Sequence, residues 1–194
     1  MVLEEKQFSV LIVSSSEKFN NEMDHMLSKA VYASISFSTS ISAARRMLSQ
    51  RQYDLIIVNS PLPDDFGSSF SVDCSQNSSS VVLQLVKSDF YSEVTEKALP
   101  HGVFTLIKPI SKQSMLTALN WMKTASHRLK KIEKKSTSIE EKMQEIRLVN
   151  KAKWLLISNE GLDEPSAHKK LEKEAMDRCV SKGVIANEII SKYS

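Results

Sequence analysis

The stretch "DLIIVNSPLP", residues 54–63, joins four consecutive aliphatic side chains to an amide and then to two prolines. A run that short, apolar on both faces, is the pattern of a strand in the middle of a parallel sheet. Pro61 and Pro63 cannot continue a central ladder, so the strand ends at Asn59. Parallel α/β sheets place their ligands and their chemistry at the carboxyl ends of strands. A reactive centre there calls for an acid or a nucleophile, and Asn59 is neither.

The same pattern repeats on both sides of this strand. "FSVLIV" (8–13), "ASISFS" (33–38), "SVVLQLV" (80–86) and "VFTLI" (103–107) read as further strands. Between them, Phe19, Met23, Met26 and Leu27 recur at helical spacing over 17–29, and Ile41, Ala44, Met47 and Leu48 over 41–50. Residues 89–99 form another helix, closed near Pro100 and Gly102. The Ser-rich stretch 64–80, "DDFGSSFSVDCSQNSSS", offers few apolar positions and reads as a short helix or a mobile loop. Alternating strands and helices predict an α/β fold with a doubly wound parallel sheet.

Composition limits the function classes. The chain has 194 residues, room for one large domain or a medium and a small one. No apolar run approaches the roughly 18 residues of a membrane span. Residues 1–6, "MVLEEK", are charged and lead into the first strand, unlike a secretion signal. Cys74 and Cys179 are far apart and make no metal-type spacing, which fits a cytoplasmic protein with free thiols and no metal or cofactor. Residues 1–120 carry 10 Lys+Arg against 12 Asp+Glu, or −2; residues 121–194 carry 16 against 11, or +5. The basic end permits a polyanion partner without requiring one.

From Lys112 to Glu160 there is neither Gly nor Pro. A heptad frame places Met115, Met122, Leu129, Ser136, Met143 and Asn150 at a positions. The d positions are Ala118, Ala125, Ile132, Ile139, Ile146 and Lys153. About five heptads of mostly apolar a and d residues exceed an ordinary globular helix and predict a coiled coil. A dimer seam through Met122, Leu129, Ile132, Ile139, Met143, Ile146 and Asn150 follows, with residues 112–150 as the dimerisation helix. The alternative is one amphipathic helix packed on its own domain. Gly161 ends this helix. Asp163 then offers an N-cap with Pro165 in the first turn of a new helix bearing Ala167, Leu171, Ala175 and Met176, with Cys179 on the same side. Ser181 and Gly183 interrupt it, and Val184, Ile185, Ile189 and Ile190 make a terminal helix.

Over about residues 7–124 the strand order, "DLIIVNSPLPDDFG" and Lys108-Pro109 after the fifth strand resemble a two-component receiver domain, which implies a flavodoxin-like fold for residues 1–124. The resemblance implies an acidic pair after the first strand, a phosphoacceptor Asp ending the third, a Ser or Thr after the fourth and a Lys after the fifth. Here the acidic pair falls at Ser14 and Ser15, the phosphoacceptor at Asn59, and the hydroxyl position at Val86 or Lys87; Lys108 with Pro109 is retained. An amide cannot form an acyl phosphate, and two hydroxyls do not replace two carboxylates on Mg²⁺. A pseudo-receiver without phosphotransfer is expected. Beside that reading stand plainer ones. Ser16 caps the following helix, Lys108 is a part-buried amine bonded to loop carbonyls or holds a small anion with the Ser-rich loop, and Asp64 and Asp65 are solvated loop acids.

Residues 149–190, "VNKAKWLLISNEGLDEPSAHKKLEKEAMDRCVSKGVIANEII", resemble the ANTAR RNA-binding module of transcription antiterminators. The shared features are Ala152-Lys153 before Leu155-Leu156, Gly161-Leu162 at the turn, Ala167 and Leu171, and Ala175-Met176-Asp177-Arg178. Trp154 and Ile157-Ser158 depart from the family pattern. The resemblance implies a three-helix module over 139–194 that binds paired hairpin loops of nascent leader RNA as a dimer and so prevents a terminator from forming. Basic side chains suit exposed phosphates and splayed bases. Lys151, Lys153 and Arg178 are the leading candidates, with Lys182 near the same junction and Lys169, Lys170 and Lys173 on the second helix. Those last three also fit a solvated face. Trp154 reads as core beside Leu155-Leu156, although it and His168 could stack on a base. The expected protein is a non-enzymatic bacterial regulator whose input is a regulatory protein, a small ligand or dimerisation itself. Two other classes fit the residues less well: a DNA-binding response regulator, for which the second helix has few base-reading side chains, and a protein-interaction scaffold, whose binding would depend weakly on salt.

Overall fold

The computed structural model describes residues 8–27 and 31–193. Residues 1–7, and 28 and 29 at the end of the helix expected over 17–29, lie outside these. The chain divides into two compact units, Met1–Lys131 and Ile132–Ser194.

The first unit is a five-stranded parallel sheet. Its elements run β1 (Phe8–Val13), α1 (Glu17–Met26), β2 (Tyr32–Ser38), α2 (Ile41–Gln50), β3 (Leu55–Asn59), α3 (Ser68–Asn77), β4 (Val81–Lys87), α4 (Ser88–Ala98), β5 (Phe104–Lys108) and the start of α5 (Lys112–Glu160). The strand order is β2-β1-β3-β4-β5, with β3 at the centre. Strand residues alternate between two cores. Leu55 and Ile57 pack with Met23 of α1 and Met115, Ala118, Leu119 and Met122 of α5. Ile56 and Val58 pack with Ala44 of α2, Phe70 of α3 and Val94 of α4. The doubly wound arrangement thus follows from a strand apolar on both faces.

Two local features add to the sequence reading. The Ser-rich stretch contains a full helix, α3, held by few but well-buried groups: Phe70, Cys74, and Ser71, whose hydroxyl donates to the Gly67 carbonyl at 2.8 Å. Gly67 opens that helix at φ 94°, and a Cβ there would stand 2.9 Å from Val58 Cγ1, so a side chain is excluded by conformation and by space. Asp64 is an exposed loop acid, as expected, with a second task. Its carboxylate accepts from the backbone N–H groups of Ile41 and Ser42 at 3.0 and 2.9 Å, capping α2 from a distant loop. These bonds hold its pKa down to about 2. Asp65 accepts from the Gly67 N–H at 2.6 Å, so it too shapes the turn.

The second unit comprises the later part of α5 with α6 (Glu164–Asp177) and α7 (Lys182–Tyr193). Val149, Ala152, Leu156, Ala167, Leu171, Ala175, Ile185, Ala186 and Ile189 form its core. Gly161 ends α5 at φ 67°, and Asp163 accepts from the Ser166 N–H at 3.0 Å to start α6. Gly183 lies inside α7 rather than before it, and its N–H donates to Glu145 Oε1 at 3.0 Å. Cys179 is exposed at φ 50° in the turn after α6, not on that helix's apolar side. Met176, expected to pack, is 77% exposed, because α6 turns Ala167, Leu171 and Ala175 inward instead.

Candidate functional site

The carboxyl ends of the strands form a small polar cluster. Asn59 ends β3 and is buried. Its amide Nδ2 donates to Ser14 Oγ at 3.0 Å, and its Oδ1 accepts from Lys108 Nζ at 2.8 Å. Lys108 also donates to the Ser60 carbonyl. Ser14 Oγ accepts from the Ser16 N–H at 3.2 Å, and Ser16 in turn caps α1. Ser16 is thus the N-cap of α1, and Lys108 is a part-buried amine bonded to the Asn59 amide and the Ser60 carbonyl. Burial lowers the Lys108 pKa first, and the nearby Lys87 charge lowers it further. The groups at this point are an amide, a hydroxyl and an ammonium; Ser15 is exposed. Alternation along β4 puts the two hydroxyl-position candidates on opposite faces. Val86 is fully buried in the core on the α2, α3 and α4 face. Lys87 is its exposed neighbour and the register partner of Lys108, so Lys87 stands beside the cluster and Val86 does not.

In the second unit the basic candidates do not gather into one bare patch. Lys153 pairs with Glu164 at 2.7 Å, Lys170 with Glu160 at 2.6 Å, and Lys182 with Glu172 at 3.0 Å. Arg178 makes a two-bond fork to Glu188 at 2.5 and 2.7 Å. Each glutamate's pKa is lowered, chiefly by its hydrogen-bonded cation. Among the described residues Lys151 and Lys169 are exposed and make no ion pair. Trp154 is 67% exposed and not part of the core, because Val149, Ala152 and Leu156 face inward on α5.

The heptad stripe also divides. Met122 is 1% exposed and lies in the core of the first unit with Met115 and Ala118. It cannot be part of a seam, because the sheet already covers it. Leu129, Ile132, Ile139, Met143 and Ile146 are exposed, as is Asn150.

Residues 137–190 match the ANTAR domain model. Over 184 residues, 93% of this chain and 88% of that protein, the sequence is 23% identical to the transcriptional regulatory protein PdtaR of Mycobacterium tuberculosis. The sheet unit resembles the signal receiver domain of an HD domain-containing protein from Pseudomonas fluorescens Pf-5, with a TM-score of 0.60 at 23% identity, covering 68% of this chain and 97% of that one. Residues 137–190 therefore carry an ANTAR domain. A further relative is the aliphatic amidase regulator of Pseudomonas aeruginosa, 32% identical over 90 residues, 46% of this chain and 45% of that protein.

The ANTAR match begins within α5 and ends within α7, so it takes in the whole core of the second unit. It also brings in a residue that the sequence reading passed over. Arg147, Lys151 and Trp154 are spaced i, i+4 and i+7 on α5 and all are exposed, which places them on one face. Counting outward-facing residues at helical spacing would have found Arg147. Its membership of the coiled-coil region hid it. No helix among the described residues is long and apolar enough to cross a membrane.

Proposed function

We propose that this ANTAR regulator is a cytoplasmic RNA-binding antiterminator. It binds paired hairpin loops of nascent leader RNA as a homodimer joined through the middle of α5, and its receiver domain takes no phosphoryl group. The observation that carries the RNA reading is the ANTAR match falling on one folded three-helix unit with an exposed basic and aromatic strip. Arg147 and Lys151 offer cations to phosphate, and Trp154 offers an indole face to an unstacked base. Lys153, Lys170, Arg178 and Lys182 meet RNA by exchanging a glutamate for a phosphate, and Lys169 needs no exchange. Asn59 supports the second part: its amide, held by Ser14 and Lys108, supplies no carboxylate to attack a phosphoryl donor.

A gel shift across a salt series, with a two-hairpin leader beside duplex DNA of equal length, tests the RNA reading. Binding is expected to prefer RNA, to weaken as salt rises, and to lose about tenfold on Trp154→Ala. Equal or stronger DNA binding would move the protein to the DNA-binding class. Incubation with acetyl phosphate and Mg²⁺ is expected to leave the intact mass unchanged; a phosphoryl adduct mapped to the strand-end pocket would end the pseudo-receiver reading.

A further inference from the structure

A cleft of about 970 Å³ opens beside Asn59, bounded by α1, the carboxyl ends of β3, β4 and β5, and the first turn of α5. That volume falls within the roughly 300–1,000 Å³ of small-molecule sites. Its lining mixes two kinds of group. Phe19, Met26 and Ile110 are apolar, backed by the core residues Met23, Leu85 and Met115. Lys18, Lys87, Lys108 and Lys112 supply cations, with Glu22 the single carboxylate in the lining among the described residues. Four of the ten Lys and Arg residues within 1–120 thus converge on one cleft, in a stretch whose net charge is −2.

This concentration works against the protein's own stability. Lys87 and Lys108 are register partners on adjacent strands, with backbones about 4.8 Å apart, so their charges repel. Lys108 is further committed to Asn59 and the Ser60 carbonyl, neutral groups that orient its ammonium without neutralising it. The helices α1 and α5 both begin at the cleft, at Glu17 and Lys112, and turn their positive ends to the same space. Cations, helix starts and an apolar wall together describe an organic anion.

We propose that the cleft binds a small amphipathic anion, its carboxylate or phosphoryl head held by Lys87 and Lys108 and its apolar body lying against Phe19, Met26, Ile110 and Met115. The inference deepens the proposed function and rests on its reading of Asn59: a receiver that takes no phosphoryl group gains a non-covalent input at the same strand ends. The bound head relieves the repulsion between the two ammonium groups, and the bound body links α1 to the first turn of α5.

Calorimetric titration of the full chain, without RNA, tests this. The probes are octanoate, octyl phosphate, octanol, octylamine and inorganic phosphate. Octanoate or octyl phosphate is expected to bind saturably and about tenfold or more tighter than octanol or inorganic phosphate, the gain of one charge-assisted contact, with octylamine weakest. Lys87→Gln, an exposed position remote from both cores, is expected to weaken the anion about tenfold, and Met26→Glu to weaken it through the apolar wall. Lys134→Gln on the outer part of α5 is expected to change nothing. No saturable binding of either anion, octanol binding as tightly as octanoate, inorganic phosphate matching octyl phosphate, or anion binding unaffected by Lys87→Gln would each overturn the proposal. A phosphoryl adduct from acetyl phosphate would instead overturn the reading of Asn59 on which it rests, and the two failures are read separately by heat and by mass.

Discussion

Two stretches of α5 carry the same apolar spacing and meet different fates. Met115, Ala118 and Met122 are buried against the sheet of the first unit, with Ala125 packed beside them. Leu129, Ile132, Ile139, Met143 and Ile146 continue the stripe but are exposed. The change comes just where Lys130 pairs with Asp54 at the base of the sheet and lies over the Phe8 ring. Up to that point the helix has its own domain as partner. Beyond it the stripe has none within the chain among the described residues, although each such side chain would gain about 1.5–3 kcal/mol from full burial. A heptad repeat therefore states that a helix face must be covered, not what covers it.

The largest expected effect follows from the buried stretch. Met122→Ala should destabilise the first unit by about 3 kcal/mol, through lost burial and a cavity, seen as a lower midpoint in denaturant. Ile132→Ala in the exposed stretch should change monomer stability by less than about 0.5 kcal/mol. Equal losses at both positions would erase the contrast. Next comes association: Ile139→Asp with Ile146→Asp should turn a dimer into a monomer in sedimentation equilibrium while leaving the circular dichroism of the sheet unit intact.

A smaller effect is expected at the junction of the two stretches. Asp54→Asn should cost about 1–2 kcal/mol, since the carboxylate accepts from the Ser9 N–H at 2.7 Å and the Ser9 hydroxyl at 2.9 Å as well as from Lys130. Burial raises the Asp54 pKa, but the bonds from Lys130 and Ser9 outweigh it and leave the pKa below the ordinary value. A lowered folded-state pKa stabilises above the unfolded pKa of about 3.9, and that contribution is lost as pH falls through the folded value. The gap between wild type and Asp54→Asn should therefore close in acid, a result that pH-dependent melting would check. Least of all, Arg178→Ala should leave the denaturation midpoint nearly unchanged, because its fork to Glu188 lies in solvent. A larger loss would make that pair a structural clasp rather than a cation available to RNA.

The sheet was legible because each strand is an apolar run with a clear stop, and the helix starts because Ser16 and Asp163 are short side chains placed to accept backbone N–H groups. The α3 helix was obscure for a physical reason: Ser71 is buried by bonding its own turn, which no hydrophobic pattern records. The capping role of Asp64 was not legible because its partners on α2 are more than twenty positions away in sequence. In the C-terminal unit, periodicity found the core but not the balance of charge. Lys153, Lys170, Arg178 and Lys182 each pair with a glutamate ten or eleven positions away across a helix turn, and spacing within one helix cannot show that. Trp154 was misplaced by its aliphatic neighbours, although Ala152 and Leu156 already fix which side of α5 faces inward.

Under the proposed function, two ANTAR units joined by the exposed stretch of α5 read two RNA loops at once. The most direct measurement compares the affinity of the intact protein for a leader RNA carrying both hairpins with its affinity for each hairpin alone, at one fixed salt concentration. Simultaneous engagement should make the two-hairpin RNA about a hundredfold tighter or more. Equal affinity for one hairpin and two would contradict it.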